Sequence, residues 1–152
     1  MEQAADRLSL MKARSRHCIA ARVRLLSRMV TNIYDSALSP FGVKLNQMNI
    51  LVVVYLAGEI SHETLCKRLK MEKSTASRNI DRLKRRGWLA AVPVKGERKK
   101  YLKVTRAGEV LMEKVHNAWE EAQVKATELL GKEGTDVICD IANGIWKKDR
   151  AG

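Results

Sequence analysis

Between Leu65 and Leu83 the apolar residues change phase once, and the change is made across three residues. Leu65 and Leu69 recur at a spacing of four and make the inner face of a short helix, capped by Ser61 and ending near Leu69. After Lys70-Met71-Glu72 the stripe resumes as Ala76, Ile80 and Leu83, on a second helix from about Lys73 to Arg86 that Gly87 stops. So short a connection makes the second helix cross the first. Burying the stripe then turns Ser74, Thr75, Ser77, Arg78, Arg82 and Arg85 toward water. Two helices on a tight turn, the second polar and basic outside, describe a helix-turn-helix.

The next segment reads as a β-hairpin. Leu89 to Val94 and Lys100 to Thr105 are strand-like runs, separated by Lys95-Gly96-Glu97-Arg98-Lys99. Pro93 is tolerable on an edge strand. A hairpin directly after the second helix of a helix-turn-helix is a wing, here with a basic tip.

Helices are expected on both sides. Ile19, Val23, Leu26, Val30, Ile33 and Ala37 form an apolar seam on a long helix that should stop near Ser39, ahead of Pro40 and Gly42. Asn46 to Ala57 contains the β-prone run Val52-Val53-Val54-Tyr55, but its length and the spacing of Leu45, Met48, Leu51/Val52 and Tyr55 favour a buried helix ended by Gly58. Thr105 should cap a long helix carrying Leu111, Val115, Ala118, Ala122, Ala126 and Leu129, broken by Gly131 and Gly134. A last helix carries Val137/Ile138, Ile141 and Ile145/Trp146. The expected fold is mainly α with a small β-hairpin wing, over 1–152 as a single unit. Residues 45–106 form a winged helix-turn-helix lobe, and 8–40 with 107–150 a helical dimerisation region. Ile19, Val23, Leu26, Ile138, Ile141 and Ile145 are the interface candidates, because those seams would otherwise expose more apolar surface than a monomer normally carries.

Charge narrows the function. Of 152 residues, 29 are Lys or Arg and 17 Asp or Glu, a net +12. The excess is localised: residues 61–106 hold 15 basic against 4 acidic, a net +11, whereas 107–152 hold 6 against 9, a net −3. Concentration of this kind suits a polyanion-binding face. An anionic membrane would need a basic helix with an aromatic-rich apolar face, which the segment lacks. The longest apolar run, Ile50 to Ala57, is short of the ~18–20 residues of a membrane span. No apolar signal-type core precedes Arg14, Arg16 and His17. The expectation is therefore a cytoplasmic protein without a membrane partner.

Cys18, Cys66 and Cys139 are too widely spaced for a disulfide framework or a zinc site, and His17, His62 and His116 are scattered. No paired carboxylates, Ser/His/Asp or Cys/His arrangement or phosphate-cradling glycine loop stands out. Neither enzyme activity, a cofactor nor a metal is expected. Trp88, Trp119 and Trp146 sit beside apolar stripes and are assigned to packing.

The polyanion that fits a helix-turn-helix is double-stranded DNA. A major groove admits one helix, whose N-terminal end meets the base edges. Ser74, Thr75, Ser77 and Arg78 occupy that end, and Arg78 has the fork to grip a guanine. Arg82 and Arg85, with Lys84 and Arg86, lie further along, where phosphate contact is expected. Arg98 at the wing tip can enter a minor groove, flanked on phosphates by Lys95, Lys99 and Lys100.

Here the chain resembles the multiple-antibiotic-resistance (MarR-type) regulators, over roughly Arg16 to Leu130. The resemblance rests on Gly58-Glu59-Ile60-Ser61, on the run Lys73 to Gly87, and on Arg98 followed by Leu102-Lys103-Val104-Thr105-Arg106-Ala107-Gly108. It implies a homodimer with intertwined N- and C-terminal helices, two winged lobes in successive major grooves, and release by a small-molecule effector or an oxidant. The chain departs from the family pattern in places. The family's wing aspartate aligns with Gly96, its capping threonine with Lys44, and its Glu-Leu-Ala with Thr64-Leu65-Cys66, where Cys66 reads as a buried spacer. Cys18 lies in the region where peroxide-sensing relatives keep a reactive cysteine. An ungapped alignment through Gln47 puts Ala20 at that position, and the tyrosine partners of that branch are out of register. A repressor is the leading reading; a regulator switched by oxidation of Cys18 is the alternative.

Overall fold

The computed structural model describes residues 2–96 and 98–151. In chain order these form α1 (Glu2–His17), α2 (Ile19–Leu38), a 3-10 turn (Ser39–Phe41), α3 (Leu45–Ala57), β1 (Ile60–Ser61), α4 (His62–Leu69), α5 (Lys73–Arg85), β2 (Leu89–Pro93), β3 (Lys100–Val104), α6 (Arg106–Lys114), α7 (His116–Leu130) and α8 (Lys132–Ala151). The fold is mostly helical, with one small antiparallel sheet in the order β1-β3-β2.

The core is built around α3. Ile50, Leu51 and Val54 have no exposed surface, because α2, α4, α5 and β3 pack around the helix. The buried face includes Met48 and Leu51 of the expected stripe but extends to Gln47, Ile50 and Val54, while Tyr55 is half exposed. A helix enclosed on several sides has no single apolar stripe to read. Its start is held from outside, since the Asp35 carboxylate of α2 accepts from the Leu45 amide at 2.7 Å. Gln47 reaches back to the Lys44 amide at 3.1 Å, so the departure at Lys44 leaves the helix start satisfied.

Ser61 caps α4 as expected, accepting from the Thr64 amide. The turn after α4 is a left-handed helix ending: Lys70 has φ 51°, its amide and that of Met71 closing on Lys67 and Cys66 at 3.3 and 3.0 Å. α5 then docks with Ala76, Ile80 and Leu83 at 0%, 3% and 0% exposure.

Four expectations are corrected. Helix already runs from Glu2, ahead of the helical region expected from residue 8, and is interrupted at Cys18, just before the seam that begins at Ile19. Ile60 and Ser61 pair with Leu102 and Tyr101, adding a third strand to the wing that is too short to show alternation in sequence. Gly134 does not break a helix but sits in the first turn of α8, the break falling at Gly131. The predicted long helix after Thr105 is α6 and α7, joined through a one-residue irregularity at Val115 that hydrogen bonds cross on both sides.

α2 shows where the chain's own core ends. Val30, Ile33 and Ala37 pack against the core, and Tyr34 meets Trp119 of α7 with ring centroids 4.8 Å apart. The Tyr34 hydroxyl donates to Gln123. Further toward the N-terminus the same seam leaves the core: Ile19 and Val23 are 77% and 57% exposed. Ile138, Ile141, Ile145 and Trp146 on α8 are exposed as well. Among the described residues no single helix is long and apolar enough to cross a membrane.

The wing is fastened at its base. Thr105 accepts from the Gly108 amide at 3.1 Å, donates to the Gly87 carbonyl at 2.5 Å, and its own amide donates to the Trp88 carbonyl at 3.1 Å. This brings α6 so close to β2 that a Cβ on Gly108 would collide with the Trp88 carbonyl oxygen and lie 2.7 Å from Val104 Cγ1. Gly108→Ala should therefore destabilise by about 1–3 kcal/mol or more, since backbone must move. Gly134→Ala, whose Cβ would meet nothing nearer than 3.8 Å, should be neutral or stabilising by about 0.5–1 kcal/mol. Urea unfolding of both variants checks the contrast.

Candidate nucleic-acid interface

Docking by Ala76, Ile80 and Leu83 sorts every other side chain of α5 by angle. Ser74, Arg78, Arg82 and Arg85 stand outward and are exposed, whereas Thr75 and Ser77 flank the buried stripe and are half-buried. Arg78 and Arg82 have no intramolecular hydrogen bond or ion pair among the described residues; Arg85 makes one long contact, Nε to the Asp81 carbonyl at 3.4 Å. Arg86 behaves differently from its neighbours. Its guanidinium lies over the Trp88 ring, 5.3 Å from the centroid, and beside Gly42. A cleft of about 400 Å³ opens there, lined by Arg82, Arg85, Arg86, Gln47 and Trp88.

The wing carries Lys95, Arg98, Lys99 and Lys100, all exposed. Gly96 turns the chain with φ 85°, a conformation that suits glycine and strains aspartate. The turn thus accounts for the residue found where the family pattern has its aspartate, and Arg98 carries no hydrogen bond or ion pair among the described residues. Lys99 faces Glu63 of α4 at 3.9 Å, which joins wing to helix-turn-helix through an exposed and therefore weak pair. Glu63 also pairs with Lys67 at 3.0 Å; that hydrogen bond and the charges of Lys67 and Lys99 lower its carboxyl below the usual range.

The cysteines differ. Cys18 is exposed at the interruption between α1 and α2, and Cys139 is exposed on α8. Cys66 is buried, the spacer expected at that place, and burial pushes its thiol up. His62, one of the scattered histidines, stands between α4 and α5: Nε2 is 3.1 Å from Ser77 Oγ and Nδ1 is 3.8 Å from Cys66 Sγ. In the sequence only the spacing of four between His62 and Cys66 hints at this cluster; Ser77 is distant. The described residues contain no group of three or more His, Cys, Asp or Glu able to hold a metal ion.

The comparisons with known proteins agree with this geometry. A sequence profile of the MarR family matches residues 41–100. YwoH of Bacillus subtilis, an uncharacterised HTH-type transcriptional regulator, is 24% identical over 102 residues, 67% of this chain and 74% of that protein. Residues 41–100, which include the helix-turn-helix, are thus similar in sequence to the MarR family. A MarR mutant from Escherichia coli, solved in complex with operator DNA, superposes with a TM-score of 0.77 at 19% identity, over 87% of this chain and 96% of its own. A MarR-family regulator from Rhodococcus sp. RHA1 gives 0.71 at 18%, over 86% and 97%. At these identities the likeness shows the fold, that of a winged helix-turn-helix.

Exposed cations on α5 and the wing make affinity for DNA a function of salt. Replacing Lys99 or Lys100 by alanine should lower the slope of log K against log salt by about 0.9 for each phosphate left unneutralised, and weaken all sequences alike. Fluorescence anisotropy across a salt series measures it.

Proposed function

We propose that this chain is a DNA-binding transcriptional regulator, a homodimeric repressor whose α5 reads bases in the major groove of a palindromic operator. Arg78 supports the reading most: it stands outward at the N-terminal half of α5, without an intramolecular partner among the described residues, on a helix fixed by a buried stripe. Ser74, Thr75 and Ser77 complete the reading end. Arg82 and Arg85 take phosphates along the helix, and Lys95, Lys99 and Lys100 take them beside Arg98 in the adjacent minor groove.

Dimerisation is proposed through the seam that leaves the core. Ile19, Val23 and Leu26 on α2 and Ile138, Ile141 and Ile145 on α8 are 37–77% exposed, in two stripes that a second copy would cover. The lobe 45–106 would then be the reading unit, and the segments 8–40 and 107–150 the dimer region. Release by a small acidic effector is supported by the cleft beside Trp88, where Arg82, Arg85 and Arg86 meet. A switch through Cys18 is the alternative, and the exposure of that sulfur at a helix break favours it.

The test is a ratio. With a bidentate base contact, Arg78→Ala should cost about 1–3 kcal/mol on an operator selected from random duplexes and much less on random DNA. Arg78→Lys should rescue only in part, because an ammonium lacks the planar fork. Equal weakening of both DNAs would make Arg78 a phosphate clamp and move base reading to the hydroxyl residues.

A further inference from the structure

Ser77 is the one hydroxyl of the reading end whose proton is committed inside the protein. Its Oγ donates to the Lys73 carbonyl at 2.9 Å, one turn back on α5. The same oxygen lies 3.1 Å from Nε2 of His62, which enters from the first turn of α4. On the far side of the ring, Nδ1 is 3.8 Å from the Cys66 sulfur. Burial keeps that thiol protonated at neutral pH. A thiol donating to Nδ1 leaves the proton on Nε2, and Nε2–H then donates to Ser77. In the other tautomer the Ser77 hydroxyl donates to Nε2 instead. Either way no O–H is left over for a ligand, and Ser77 offers a lone pair alone. Ser74, exposed one turn earlier, has no such partners among the described residues.

We infer that His62 is a specificity-determining positioning residue, holding Ser77 as an acceptor-only group that favours an exocyclic amine of adenine or cytosine at the base it faces. The chemistry follows from the major-groove edges. The adenine N6 and cytosine N4 amines donate, whereas guanine O6 and N7 and thymine O4 accept and would meet a hydroxyl without a proton to give.

The inference rests on α5 being the reading helix, and the experiment separates the two. Sites are selected from random duplexes with the wild type, and the affinities of single-base variants are measured for wild type, His62→Ala, His62→Gln, Ser77→Ala and the His62→Ala/Ser77→Ala pair. The expected result is one position that Ser77→Ala relaxes, where the wild type prefers a strand-specific adenine or cytosine. His62→Ala should relax the same position by about 3- to 10-fold, the worth of one hydrogen bond. The double variant should add nothing to Ser77→Ala, and His62→Gln, which keeps an N–H near the Nε2 site, should restore most of the preference. A merely structural role would lower affinity on every sequence and leave the base preference unmoved. That result, or additive effects in the double variant, would overturn the inference. If His62→Ala does not fold, His62→Leu, which fills the half-buried site without an N–H, takes its place and should relax the same position; an unmoved base preference there would overturn the inference. Failure of the wild type to select any sequence would instead remove the reading helix itself.

Discussion

Burial of Ala76, Ile80 and Leu83 against α3 and α4 is the constraint on which the remaining structure depends. Their side chains leave α5 only one orientation about its axis, so the identity of the exposed row follows from helical geometry alone. Arg78 faces outward because Ile80 and Leu83 face inward. Packing of the opposite face is enough to hold it there. The basic row is tolerable because it stays in water: an arginine forced into the core would have to be neutralised by a partner.

The wing is held by a different device. Thr105 and Gly108 clamp the end of β3 to the start of β2 through backbone contacts too close for any Cβ. β1 adds a second edge to β3, and the Glu63–Lys99 pair crosses from α4 to the wing tip. The wing is therefore fixed to the helix-turn-helix at its base and, through a weaker exposed pair, at Lys99. A tip that turns at Gly96 and carries an exposed Arg98 suits insertion into a groove whose width varies with sequence.

Much of this is legible in local pattern. The stripe of α5, the Ser61 and Thr105 caps and the hairpin each depend on residues a few positions apart, and each lies where periodicity and capping place it. The features that escape such a reading are non-local or too short. The Asp35 cap on α3 joins residues ten apart in sequence across two helices. β1 is two residues long, below any alternation. The buried face of α3 extends beyond its apolar spacing because its surroundings decide which side chains are covered. His62 is illegible for the same reason: its partner Ser77 lies 15 residues away, and only the crossing of α4 and α5 brings them together.

The central claim is that two copies of this chain read one operator through α5. It is tested most directly by selecting sites from a random duplex library and determining the stoichiometry of the complex on the best site. The account predicts a palindromic site with half-sites centred about one helical turn apart, roughly 10 base pairs, bound by two chains. An asymmetric single half-site saturated by one chain, or no enrichment at all, would contradict it.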